Sequence, residues 1–386
     1  MIGNNLTLYT EVKGIYMRKE VELLILCSKS ELSGKDINQL HQLINYNLDW
    51  GKFLYWAVHH RTVPIIVKNL KAQYAMQYVE SHVRKAMEQI THCISMFNSA
   101  YLEEMLSICK EFDRKNVSYA VLKGAALASE VYSEPGLRQF GDIDFLINPS
   151  SVTDAENILK SLGYTQGRID VNTEKIIKTT YKENVHHRLV SHELQDFYRL
   201  SGLDECPFYN IDINFSPMWK GTNQKRRSLC TADFLTNTVR TSVKTGEFSI
   251  LSFPYQLIHL CGHLYSEAVF FPVHTNWCRD KSDLNLIKFC DIRELICQHS
   301  QVNWKTLFDL ACSLGCEDAL YYSLATLNEI YPDTVSPKFF SYFESGIPNL
   351  NAFYDSKGNE VIWRMPFMER MFDIEGKKEE YYGGLS

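Results

Sequence analysis

The sequence predicts an α+β protein, a small mixed β-sheet flanked by N- and C-terminal helical regions. Three observations carry the prediction. Apolar residues recur at helical spacing from residue 15 to about 115, and again after Pro254. Between these regions the pattern shifts to short strand-like runs, at 117–122 and 142–147. Turn residues punctuate the middle: Lys123-Gly124, Ser133-Glu134-Pro135-Gly136 and Asn148-Pro149-Ser150.

Taken in order, Leu23, Leu24, Leu26, Leu40, Leu43 and Ile44 mark the first helices. Asp49 is a fitting N-cap for a helix beginning at Trp50, and Pro64 opens the next. A long amphipathic stretch follows over 72–112, with Tyr78, Val79, Val83, Met87, Ile90, Ile94 and Phe97 mostly three or four apart. A strand at 117–122 closes at Lys123-Gly124. A short helix occupies 125–132, and the second strand runs over 142–147. A helix over 152–162 stops at Gly163. Residues 185–190 and 209–215 are further strand candidates. Helices are expected at 255–265, 284–298, 304–314 and 318–330. The organisation read this way is an N-terminal helical region (1–115), an α/β core (116–250), a C-terminal helical domain (251–375) and a mobile tail (376–386).

Composition bounds the function. The chain has 386 residues, 45% hydrophobic and 13% aromatic, enough to fill sizeable cores. Its net charge of −6 argues against a nucleic-acid binder. The longest apolar runs are too short to span a bilayer, so no membrane partner is expected. The first residues lack a basic stretch followed by an apolar one, and so do not read as a secretory signal. Eleven cysteines are scattered without a C-x-x-C pair. Cys93, Cys109, Cys261 and Cys297 fall in helical patterns and read as reduced core residues of a cytoplasmic protein.

The chemistry concentrates in Gly141-Asp142-Ile143-Asp144-Phe145-Leu146-Ile147. Side chains alternate along a strand, so Asp142 and Asp144 share one face while Ile143 and Phe145 enter a core. Acids are poor strand formers, and two on one face repel unless a cation lies between them. Hard oxygen ligands held this way suit Mg²⁺ bound together with substrate phosphates. Asp212 repeats the pattern between Ile211 and Ile213, with Asn214 on the same face. If the two strands are neighbours, three carboxylates converge on metal-assisted phosphoryl or nucleotidyl transfer. Lys123-Gly124 stands between a strand and a helix. There, helix N–H groups, the close approach a glycine permits and the lysine charge would suit a triphosphate.

Leu122-Lys123-Gly124, Tyr132, Arg138 and residues 141–147 together resemble the uncharacterised nucleotidyltransferase group of the polymerase-β-like superfamily. That superfamily carries a glycine turn, a helix, a D-x-D strand and a later single acid. The resemblance extends over about residues 40–330. It includes Asp49-Trp50, the strand around Asp212, the helix from Tyr255 to His263, and the stretches Asp291-Ile292-Arg293-Glu294-Leu295 and Val302-Asn303-Trp304. It implies a Mg²⁺- or Mn²⁺-dependent enzyme that moves a nucleoside monophosphate, or a related phosphoryl group, from an NTP such as ATP. The acceptor would be a small molecule, a peptide or a protein.

Carried over, Asp142 and Asp144 are metal ligands and Asp212 the third acid. Lys123, Gly124 and Ala125 lie along the triphosphate, and Arg138 neutralises phosphate charge. The chain departs from the pattern at Ala125, where many members have serine, at Asn214, where histidine is frequent, and in the longer spacing from Gly124 to Asp142. The alternative is a catalytically inactive nucleotide-binding regulatory module.

Weaker constellations read as structural. His259 and His263 lie at i and i+4, but Leu260 stands where a zinc protease has glutamate. A zinc hydrolase therefore ranks last. His186 and His187 would point to opposite faces of a strand, and Lys225-Arg226-Arg227 reads as a solvated basic loop.

Overall fold

The structure is a computed structural model that describes residues 18–170, 172–204, 206–218, 230–270, 284–299, 301–343, 349–355 and 357–383. The N-terminal helices are α1 (Lys19–Cys27), α2 (Gly34–Leu43), α3 (Trp50–His59), α4 (Val63–Ala72) and the 34-residue α5 (Ser81–Arg114). Asp49 caps α3, its carboxylate accepting from the Lys52 N–H at 2.9 Å. Pro64 sits in the first turn of α4, where its missing N–H costs nothing. The long amphipathic stretch is interrupted before α5, where Tyr74 takes φ 54°.

The core follows as β1 (Tyr119–Leu122), α6 (Lys123–Glu130), β2 (Ile143–Ile147), α7 (Val152–Ser161), β3 (Thr165–Asp170), β4 (Lys175–Lys178), α8 (Tyr181–Val190), β5 (Phe197–Leu203), β6 (Cys206–Asn214), α9 (Thr231–Thr236), β7 (Thr238–Val243) and β8 (Gly246–Leu251). These eight strands form one sheet in the order β4-β3-β5-β6-β2-β1-β8-β7. It is mixed: β2 runs parallel to β6 and β1 parallel to β8, while the other neighbours are antiparallel.

One sequence expectation is corrected. Residues 185–190 belong to helix α8, not to a strand. Thr180 and Glu183 form a capping box at its start, which satisfies two otherwise unpaired N–H groups and nucleates the helix. His186 and His187 therefore sit side by side on a helix. Most of the segment read as a tail lies in α16 (Ile374–Gly383), whose Tyr381 is buried beside Phe353, ring centroids 5.3 Å apart. The basic run Lys225-Arg226-Arg227 lies outside the described residues.

After the sheet come α10 (Phe253–Tyr265), α11 (Leu286–Gln298), α12 (Trp304–Leu314), α13 (Glu317–Ile330), the short α14 (Pro337–Phe340), the hairpin β9 (Ala352–Tyr354) and β10 (Glu360–Ile362), then α15 (Phe367–Phe372) and α16. Alternation divides the sheet's packing. Ile143, Phe145, Ile147, Ile211 and Ile213 face Met105, Cys109 and Phe112 of α5 and Leu159 of α7. Ala120, Leu122 and Leu146 face the other way, into a core that joins Phe53 and Ile66 of the N-terminal helices to Leu257, Phe289 and Leu320 of the C-terminal ones. Polar ties cross that junction: Asn285 Nδ2 donates to the His59 carbonyl at 2.6 Å, and the Ser28 and Tyr331 hydroxyls meet at 2.8 Å. Helices from both ends of the chain thus roof the sheet face that carries the acids.

Cys109 and Cys261 are buried as expected, whereas Cys93 and Cys297 lie on exposed helix faces. Among the described residues no helix is long and apolar enough to cross a membrane.

Candidate functional site

The site starts from strand register. Leu122 of β1 lies opposite Asp144 of β2, and Asp144 lies opposite Asp212 of β6. Directly opposed residues share a face, so both carboxylates project from the roofed side of the sheet. Asp142 precedes β2 by one residue and alternates onto the same side. Asn214, two residues beyond Asp212, reaches back to Asp144, Nδ2 to Oδ1 3.4 Å.

The sheet brings two further acids that sequence reasoning missed. Phe197 pairs with Ile211, which places Asp196 at the entry to β5 beside Asp212. Glu193 bridges to Asn214. The only local sign was an acid just before the aromatic pair Phe197-Tyr198; the rest depends on long-range pairing.

Asp212 reports the crowding. Burial pushes its pKa well above the ordinary carboxylate range, and the charges of Asp196, Asp142, Asp144 and Glu193 push it further. Its Oδ1 is buried and has no hydrogen-bond partner. Asp196 is also raised, by burial first and then by Glu193 and Asp142, against a 2.9 Å hydrogen bond from the Tyr198 hydroxyl.

The cation beside this acidic row is Lys123. Its Nζ lies 2.8 Å from Asp144 Oδ1, with the Asp144 side chain 2% exposed. Burial works to lower the ammonium's pKa, but Asp144, Glu193 and Asp142 outweigh it and hold the group charged. Lys123 adopts φ 49°, left-handed backbone that costs a non-glycine residue about 1–2 kcal/mol. It is also the first residue of α6, whose start has no side-chain cap. Gly124 is demanded by packing: a Cβ there would stand 2.5 Å from the Phe140 Cβ. Ala125 buries its methyl in the sheet's α5-facing core, so only its backbone can face a ligand.

The Arg138 guanidinium lies beside Gly124, its Nη1 3.4 Å from where a Cβ on that glycine would stand, and it is paired with a carboxylate. Its Nη2 meets Asp291 Oδ2 at 2.6 Å and its Nε meets Asp291 Oδ1 at 3.0 Å. Nη1 donates to the Gln139 carbonyl, and the Tyr132 hydroxyl donates to the same Asp291 at 2.9 Å. The buried guanidinium therefore fastens the loop before β2 to α11.

Two histidines flank the acidic row: His259, read as structural in the sequence, and His192, which the sequence reading did not single out. His259 accompanies His263 on α10, and His192 lies just before Glu193; burial first, and then the charge of Lys123, lowers the pKa of both His192 and His259.

Among the described residues no three acidic, histidine or cysteine side chains stand in a ready-made metal cage. The donor set nevertheless fits a hard divalent cation. It is all-oxygen, it carries excess negative charge, and it includes one buried carboxylate oxygen without a partner. Asp142, Asp144 and Asp212 are the residues that would hold it.

A nucleotidyltransferase-like protein from Paracoccidioides brasiliensis is structurally similar at 15% identity and a TM-score of 0.33, covering 61% of this chain and 91% of its own; a likeness this slight carries no argument. No curated protein matches the chain. The uncharacterised nucleotidyltransferase family matches residues 46–332, a span from just before α3 to just past α13 that takes in the whole acidic row. The chain belongs to the uncharacterised nucleotidyltransferase family.

Proposed function

We propose that this protein transfers a nucleoside monophosphate from an NTP to a hydroxyl or amine acceptor, with Asp142, Asp144 and Asp212 as its acidic centre. The observation that carries the reading is the Asp144–Asp212 register pair, with one Asp212 oxygen buried and unpartnered. Mg²⁺ or Mn²⁺, when bound, would supply charge neutralisation of the triphosphate and of the pentavalent transition state. The remaining roles fall to the chain. Asp142 and Asp144 would hold that cation at the row. Lys123, already charged at the row, offers its ammonium to the triphosphate as it enters. The N–H groups at the start of α6, which have no side-chain cap, are available to the same phosphates. Asp212 receives the acceptor's proton as the acceptor oxygen or nitrogen attacks the α-phosphorus and pyrophosphate leaves. Arg138 positions the loop before β2 through Asp291 rather than touching phosphate.

The test is transfer of label from an α-labelled NTP to acceptors in a metabolite and peptide extract. Asp144→Asn is expected to abolish Mg²⁺-dependent labelling; unchanged labelling would refute the reading.

One observation favours a second reading, a nucleotide-binding module without turnover. The Lys123 ammonium already neutralises Asp144 at 2.8 Å, as a metal would. Calorimetry separates the two: tight nucleotide binding without labelling across all acceptors favours the silent module.

A further inference from the structure

The turn that follows β6 holds two imidazoles. The His259 ring, 4% exposed, sits with Nδ1 2.6 Å from the Pro217 carbonyl. A carbonyl only accepts, so Nδ1 carries the hydrogen and Nε2 presents a lone pair. That Nε2 is buried and has no partner. His192 is pinned to the same turn from the other side: its carbonyl accepts from the Phe215 N–H at 3.0 Å and from the Ser216 N–H at 3.2 Å. Its Nε2 faces Glu193 at 3.9 Å, and its Nδ1 is likewise buried and unpartnered. Both rings feel Lys123, whose Nζ touches Asp144, and His259 also feels His192. His263, one turn along α10, turns its Nε2 to Glu267 at 3.6 Å.

Two ring nitrogens left without partners in a buried place are costly unless something fills them. The charge nearby restricts what that is. The lone pair of His259 Nε2 and the Glu193 carboxylate beside His192 repel an anion, while the Lys123 ammonium, whose charge reaches both rings, works against a second cation here. An uncharged hydroxyl donates to His259 Nε2 and, able to donate or accept, matches His192 Nδ1 in either tautomer. Burial and the neighbouring ammonium hold both rings neutral, with pKa values of about 3, so they keep their lone pairs at any working pH and are poor proton acceptors.

We propose that His259 Nε2 and His192 Nδ1 form a hydroxyl-recognition subsite beside the acidic row, binding neighbouring hydroxyls of a polyol-like acceptor or of the nucleotide's ribose. The proposal rests on the nucleotide-transfer reading for its occupant, and not for its geometry.

Two variants of His259 test it. His259→Asn keeps an N–H for Pro217 and removes the free lone pair. His259→Gln places an amide oxygen near the Nε2 position and restores an acceptor. Binding of Mg-ATP, of Mg-2′,3′-dideoxy-ATP, of glycerol, glucose and myo-inositol, and of Zn²⁺ is measured by calorimetry on the full chain. If the hydroxyls belong to the acceptor, one of the polyols binds about tenfold more weakly to the Asn variant, with recovery in the Gln variant. If they belong to ribose, the wild type prefers ATP over its dideoxy form by about tenfold and the Asn variant does not. Equal binding of every hydroxyl probe to wild type and the Asn variant overturns the proposal, as does stoichiometric Zn²⁺ binding that the Asn variant loses. Mg-ATP affinity itself reads the nucleotide site separately, so a failed subsite and a failed nucleotide reading give different results.

Discussion

Asp144 of β2 and Asp212 of β6 stand directly opposite each other in a parallel strand pair, yet they carry different partners. Asp144 has Lys123 at 2.8 Å, whereas an oxygen of Asp212 has no partner. The pair is thus half neutralised, and its behaviour toward pH and cations follows.

The Asp212 pKa is raised in the fold, by burial and then by its acidic neighbours. A carboxyl whose folded pKa lies above its unfolded value, about 4, contributes stability at low pH that is lost as pH rises through the folded pKa. Without metal, Asp212→Asn is therefore expected to melt higher than the wild type, with the gap widening as pH rises above the unfolded carboxyl's value of about 4. Added Mg²⁺ raises the wild-type melting temperature and leaves the variant's unchanged. Thermal melts across that range check both outcomes, and a constant gap would contradict the assignment.

Lys123 is the partner of a carboxylate with almost no exposure to water. Lys123→Met strands that charge and is expected to cost about 3 kcal/mol by urea denaturation. Adding Asp144→Asn to it recovers most of the loss, because the stranded charge is then absent. A double variant as unstable as the single one would show that Lys123 acts through something other than Asp144.

Gly124→Ala is expected to cost about 1–3 kcal/mol, since the new methyl meets Phe140. The contacting atom is the Phe140 Cβ, so Phe140→Ala does not rescue it. Rescue by Phe140→Ala in the same denaturation experiment would place the clash on the ring instead.

Arg138 binds Asp291 through two nitrogens, a geometry lysine cannot copy. Arg138→Lys is expected to lower stability by about 2 kcal/mol or more while leaving the KM for NTP close to wild type. A raised KM with unchanged stability would restore the phosphate role.

The acidic strand was legible because Asp142 and Asp144 interrupt an apolar run at a spacing of two, and Asp212 repeats the interruption. The Asp49 and Pro64 helix starts were legible because capping is local chemistry. Strands β3, β4, β5, β7 and β8 were not, since several carry polar or glycine-containing stretches such as Thr165–Asp170 with little continuous burial. Helix α8 was misread because Val185, Leu189 and Val190 look strand-like over a short window, while the cap that decides the matter lies upstream at Thr180 and Glu183. Asp196, Glu193, His192 and His259 join the site through pairing between segments far apart in the chain, which no local pattern encodes. The Arg138–Asp291 pair was not legible for the same reason, because Asp291 lies 153 residues away.

The account depends most on Asp144 and Asp212 sharing one divalent cation in the presence of nucleotide. Mn²⁺ binding followed by electron paramagnetic resonance, with a non-hydrolysable NTP analogue present, measures this directly. The account predicts bound Mn²⁺ in the wild type and its loss in both Asp144→Asn and Asp212→Asn, with each variant still folded by circular dichroism. Mn²⁺ bound equally well by the wild type and both folded variants would contradict it.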